Sequence, residues 1–179
     1  MNPGKVGAML CLLLLASPSA SFAQTVKADY HKDIDLAKWK TFKFQDVPRP
    51  PKDPLYDKFE IEQGMRTELQ EQLQKLGLRP ADKDPDFLIS YRVMAKTYKN
   101  VYGGSGVGIT TTKDVWENLY SERTLFLDLA DTRTKDLAWR GTATTNVMPS
   151  DPKDDYTKDI RKLVERFKKD VEAQRKGKR

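Results

Sequence analysis

Alternation of apolar and polar positions marks much of the chain. In "TVKADY" (25–30), Val26, Ala28 and Tyr30 fall on one side and predict a short strand. "WKTFKFQ" (39–45) sets Phe42 and Phe44 against Lys43 and predicts a second. Residues 84–101, "DPDFLISYRVMAKTYKNV", carry Phe87, Ile89, Tyr91 and Val93 on one face and Ser90, Arg92 and Lys96 on the other. That is the pattern of a long half-buried strand. "TLFLDLADTRTKDLAWRGTA" (124–143) holds two more. Leu125, Leu127 and Leu129 alternate with Phe126 and Asp128, and Leu137 and Trp139 alternate with Ala138 and Arg140. Leu137 and Trp139 are therefore expected on one core face. The intervening "ADTRTKD" is rich in turn formers, so the segment reads as a hairpin. Its pairing would bring Arg140 to the Asp128 face and leave Asp131 and Asp136 bonded to turn amides.

Two stretches switch to helical spacing. Ile61, Met65, Leu69, Leu73 and Leu76 form one stripe. Asp57 and Glu60 before it resemble a capping box, Gly77 suits the left-handed residue past its end, and Leu78 can close over the last turn. A second helix begins near Asp155, with Ile160, Leu163, Val164, Phe167 and Val171 on its apolar side and a basic remainder. Its end, "AQRKGKR", has no large apolar residue to dock it, so 174–179 is expected to be a basic disordered tail. "VPRPPKDP" (47–54) has too much proline for helix or ladder and predicts an extended connector. The order is strand, strand, helix, strand, strand, strand, helix. It predicts a single α+β domain over residues 24–173, an antiparallel sheet with two helices packed on one face.

The first residues add an address. Lys5, the apolar "AMLCLLLLA" (8–16), Pro18 and the small residues of "SFA" (21–23) make residues 1–23 a secretory signal peptide, cut before Gln24. The apolar run is too short to span a bilayer. Cys11 lies in front of that run rather than behind it, which argues against a lipid anchor. Cleavage removes Lys5 and no acid, so the formal charge falls from +6 to +5, and it removes the only cysteine. An exported chain without disulfides must rest on its core. The expected location is the periplasm or the exterior. The basic excess favours anionic neighbours, and export argues against nucleic acid.

Three passages carry a family resemblance: "DYHKDIDLAKWKTFKF" (29–44), "LGLRPADKDPDFLISY" (76–91) and "LFLDLADTRTKDLAWRG" (125–141). In order and spacing they resemble the bacterial envelope family catalogued as domain-of-unknown-function family 4136. The resemblance implies a compact α+β domain with an antiparallel sheet, in periplasmic or outer-membrane-associated proteins of Gram-negative bacteria, many of them lipoproteins. It implies no activity and no catalytic residue. The chain departs from the family in lacking a lipobox. It also lacks the glycine frequent at the hairpin tip, where Thr134 and Lys135 stand.

Candidate chemistry is sparse. "GGSGV" (103–107) misses G-x-S-x-G at Val107, and "SDPK" (150–153) matches S-x-x-K without the motifs that accompany it. The glycine-rich "YGGSGVGITTTK" (102–113) is not a P-loop. His31 is the only histidine, so neither a zinc cluster nor a cofactor is assigned. Asp128, Asp131 and Asp136 at an exposed hairpin would not converge as a carboxylate metal site must. The segment with functional content is 100–120, expected as a long loop. Tyr98, Tyr102, Trp116 and Tyr120 flank or stud it, with Lys96, Lys99 and Lys113 nearby, a mixture suited to a protein, glycan or anionic lipid. The expectation is a non-catalytic exported binding module. A small envelope hydrolase with paired carboxylates is the alternative.

Intact-mass measurement of the protein made in its host should give a chain beginning at Gln24 without diacylglycerol. A mass carrying a lipid on Cys11 would overturn the leader assignment.

Overall fold

The computed structural model describes residues 24–102, 116–147 and 155–177. In chain order the elements are β1 (Thr25–Tyr30), a 3-10 turn (Leu36–Lys38), β2 (Thr41–Phe44), α1 (Phe59–Lys75), β3 (Arg79–Pro80), β4 (Phe87–Tyr102), β5 (Trp116–Asp131), β6 (Leu137–Val147) and α2 (Thr157–Gly177). The strands form one sheet in the order β1-β6-β5-β4-β2-β3. The α+β class and the two helices agree with the sequence pattern, but the sheet is mixed rather than antiparallel. β2 runs parallel to both β4 and β3, while β1, β6, β5 and β4 pair antiparallel. The cause is α1, which carries the chain back along the sheet after β2, so the neighbouring strand re-enters in the same direction.

Both helices contribute to one core. Met65, Leu69 and Leu73 of α1 and Ile160, Leu163, Val164 and Phe167 of α2 join Phe42, Phe87, Ile89, Leu125, Leu127, Leu129 and Trp139 of the sheet. Each such side chain contributes about 1.5–3 kcal/mol through removal from water. α1 ends as its sequence predicts. Gly77 sits at φ +84°, its N–H donates to the Gln74 carbonyl at 2.9 Å, and Leu78 N–H donates to the Leu73 carbonyl at 3.2 Å. That six-to-one bond buries Leu78 over the last turn. The start differs from expectation. Asp57 is itself left-handed at φ +56°, Lys58 takes the cap position, and no side chain caps the helix.

The proline-rich connector is folded down rather than extended. Asp53 N–H donates to the Pro50 carbonyl at 2.8 Å, and the Asp53 carboxylate accepts from Leu55 N–H at 2.8 Å. This turn drops Leu55 into the core, and Arg49 ties it to Glu62 of α1 at 3.1 Å. The expected fraying from residue 174 is also corrected. α2 continues to Gly177, and the buried Gln174 accepts from Leu36 N–H and donates to the Ile34 carbonyl, both at 3.1 Å. A polar side chain docks this end where no apolar one was available.

The hairpin confirms most of its pattern and corrects one face. Asp128 lies directly across from Arg140, which donates to both carboxylate oxygens at 2.6 Å. Leu137, however, is 41% exposed while Trp139 is fully buried. Leu129 pairs with Trp139 but Ala130 pairs with Leu137, so Ala138 is an extra residue. Such a bulge turns the chain over and sends i and i+2 to opposite faces. Asp131 does more than hold the turn. Its Oδ1 accepts from Arg133 and Thr134 N–H at 2.9 and 3.0 Å, and its Oδ2 accepts from the Trp39 indole at 3.1 Å. Asp136 contributes its backbone carbonyl, which accepts from Asp131 N–H at 3.0 Å.

Two positions test this hairpin in opposite directions. A Cβ on Gly141 would lie 2.2 Å from Cη2 of Trp139 and 2.8 Å from Cδ2 of Leu163. Gly141→Ala should therefore cost about 1–3 kcal/mol through overpacking. Lys135 stands at φ +67°. Lys135→Gly should relieve left-handed strain of about 1–2 kcal/mol, offset in part by a freer unfolded chain, for a net gain of roughly 0.5 kcal/mol. Thermal melts should show Gly141→Ala well below the parent and Lys135→Gly slightly above it; the reverse order would contradict the hairpin geometry.

Candidate functional site

With both helices on one side of the sheet, alternate positions of β4, β5 and β6 face away from them. Met94 is 51% exposed there and Tyr98 36%. The Arg92 guanidinium lies 5.6 Å over the Phe126 ring and 3.8 Å from Asp128. The hydrogen bonds that Arg140 donates to Asp128, and the charge of that carboxylate, raise its already high pKa, so this cation is fixed at every accessible pH. Thr124 and Thr144 bond across the strands at 3.2 Å. Met94, Lys96, Glu122, Thr124 and Phe126 line a shallow dip of about 160 Å³. The surface is broad, ridged by aromatic and thioether groups and studded with fixed cations.

One end of this surface is a two-stranded ribbon. β2 pairs with β4 as far as Ile89, whose carbonyl accepts from Gln45 N–H at 2.8 Å, and β6 pairs with β5 only from Ser121. Among the described residues, positions 98–102 and 116–120 pair with one another alone. The register sets Tyr98 opposite Tyr120, Lys99 opposite Leu119 and Tyr102 opposite Trp116. Lys96 lies opposite Glu122, and Thr97 and Ser121 bond through their hydroxyls at 3.2 Å. The strand register thus sets the four aromatic candidates at two pairs of opposed backbone positions. Lys113 lies outside the described residues. The long loop expected over 100–120 is shorter than its sequence suggests, because residues 100–102 and 116–120 belong to strands. Cross-strand pairing satisfies the backbone groups that face the partner strand even without an apolar period.

Arg92, Met94 and Phe126 were missed as surface candidates. Their signal was an apolar side chain on the polar side of an alternating strand, Phe126 among leucines and Met94 beside Arg92.

The carboxylates buried elsewhere are held by donors. Asp159 accepts from Arg123 at 3.0 Å, from Thr145 at 2.8 Å and from the Gln24 side-chain amide. Asp170 accepts from the Trp139 indole at 2.9 Å and pairs with Arg166 at 3.0 Å. Burial pushes the Tyr91 phenol up to about 12, and its hydroxyl donates to Glu62 at 3.1 Å while accepting from Arg66 Nε at 3.2 Å. Burial alone would raise Glu62, but Arg49, Tyr91 and Arg66 hold its carboxyl below the usual range. Each group is committed to a structural partner, and none is paired with a second carboxylate.

A solved structure shares the fold. A PDZ domain protein from Parabacteroides distasonis superposes with a TM-score of 0.56 at 15% identity over 80% of this chain; the chain spans 36% of that one. A PelC dodecamer from Paraburkholderia phytofirmans gives a TM-score of 0.43 at 12% identity, covering 79% of this chain and 92% of that one. A minor lipoprotein from Acinetobacter baumannii gives 0.36 at 14% identity, covering 78% and 95%. No curated protein matches the sequence significantly. Residues 26–167 match the model of a domain of unknown function, DUF4136, and the chain belongs to that family.

Proposed function

We propose that this is a non-catalytic protein of the bacterial envelope that binds a protein partner through its open sheet face and the β4–β5 ribbon. The leader pattern of residues 1–23 supports export. The observation that carries the reading is the one-sided fold, which leaves Met94 and Tyr98 exposed beside the Arg92–Phe126 stack. Aromatic and arginine side chains on a broad surface are the usual anchors of protein interfaces, because they offer large contact areas at low entropic cost. The outer edge of β4 adds a second element. Tyr91, Val93, Ala95 and Thr97 share the backbone orientation of Ile89, whose carbonyl meets β2, and β2 ends before it reaches them. A partner strand could add there through main-chain bonds, with Met94 and Tyr98 supplying specificity.

The test is site-specific photo-crosslinking in living cells. A crosslinker at Met94 or Tyr98 should give one discrete protein adduct, and a crosslinker at the exposed Glu165 of α2 should not. Met94→Asp should reduce the Tyr98 adduct several-fold with little change in melting temperature, since the side chain leaves the core untouched. Equal adducts from all three positions, or an adduct from Glu165 alone, would remove the open face as the binding surface.

A further inference from the structure

On the opposite side of the molecule, a groove of about 280 Å³ opens between the C-terminal half of α2, the end of α1 and the 3-10 turn. Its floor is Leu36, Trp39, Leu78 and Phe167, all buried members of the core, and half-buried Ala37, Leu76 and Val171 ring its mouth. Two N–H groups of the floor are occupied within the fold. The Trp39 indole serves Asp131, and Leu36 N–H serves Gln174. An occupant would meet the apolar side chains of Leu36, Trp39, Leu78 and Phe167 below and the polar rim above.

The rim is strongly basic. Lys40, Lys75, Lys168 and Arg175 surround the groove against one carboxylate, Glu172, which lies 3.9 Å from Lys168. Cations also complement helix C-termini, and both α1 and α2 end near this place. Each terminus supplies roughly half a negative charge, which together offset about one of the three unbalanced cations. About two positive charges remain over an apolar floor. We propose that this groove binds a single-chain anionic amphiphile, with a long-chain fatty acid as its occupant. The acyl chain would lie on Trp39 and Phe167, and the carboxylate would sit among Lys75, Arg175 and Lys40. The groove is at the small end of ligand cavities, which suits one chain rather than a two-chain lipid. The inference is independent of the ribbon and its partner.

Titration of the full chain with a fluorescent long-chain fatty acid tests it. The uncharged alcohol of equal length probes the rim, a short-chain carboxylate probes the floor, and vesicles of anionic phospholipid probe a membrane surface. The fatty acid should bind saturably, at least about tenfold more tightly than the alcohol, and more weakly as salt rises. The Lys75→Glu/Arg175→Glu double variant, at exposed positions, should lose about tenfold or more in affinity while melting like the parent. Val171→Asp should lose binding as well. Equal affinity for acid and alcohol, full binding by the double variant, or binding to vesicles without binding to the fatty acid would each overturn the proposal.

Discussion

Two buried indoles and two buried carboxylates hold this fold in register. Trp39 donates to Asp131 at 3.1 Å and Trp139 to Asp170 at 2.9 Å, and all four residues are withdrawn from water. Each carboxylate has further donors, Arg133 and Thr134 for Asp131 and Arg166 for Asp170, so it is the indole N–H that depends on the pair. A buried N–H or carboxylate left unmatched costs about 1–3 kcal/mol, and more where it carries charge. Matched, the indole N–H loses that penalty and the carboxylate gains one more donor. The pairs also share a neighbour, because Phe167 packs 6.4 Å from the Trp39 ring and 5.5 Å from the Trp139 ring. Trp39 stacks in turn on Phe87 at 4.5 Å. One bond anchors the β5–β6 turn to the start of β2, and the other fixes β6 to α2.

The rest follows from that centre. Trp139 can lie flat against the sheet only because Gly141 has no side chain beneath it. Asp131 can be both turn residue and core acceptor because the tip curls over it, which requires Lys135 in a left-handed conformation. Large aromatic groups are spent on the helix side of the sheet. The opposite face is left with threonines, the Arg140–Asp128 pair and the Met94–Phe126 ridge. The groove beside Trp39 is a by-product of the same packing, where α1 ends and α2 runs on past it.

Local rules were legible in the sequence and long-range ones were not. Helical spacing located both stripes, and Gly77 identified the end of α1 from one residue. Alternation also placed Asp128 and Arg140 on one face, since both lie beyond the bulge where the pairing is regular. It failed at Leu137 because the extra residue at Ala138 serves the placement of Trp139, which no two-residue period can announce. The parallel setting of β2 against β4 was available in principle, because adjacent strands joined through a helix must run the same way. By sequence alone Gln174 belongs to a tail and Asp131 to a turn. Their partners, Leu36 and Trp39, lie far away in sequence, and polar docking leaves no periodic trace. The candidate aromatics were found by composition, but their pairing as Tyr98 with Tyr120 and Tyr102 with Trp116 needed the strand register.

A double-mutant cycle between Trp39 and Asp131 tests the central claim most directly. Burial alone would raise the Asp131 carboxyl, but the Thr134 and Arg133 amides, the Trp39 indole and the Arg133 charge hold it below the usual range. A depressed folded value means that its stabilisation is full above the unfolded carboxylate value of about 4, and is lost as pH falls through the folded value. Denaturation of Trp39→Phe, Asp131→Asn and the double variant should give a coupling of about 1–2 kcal/mol at neutral pH. The coupling should shrink as the pH drops below about 4. Additivity within about 0.5 kcal/mol at neutral pH would contradict the account, because it would show that the indole and the carboxylate do not depend on each other.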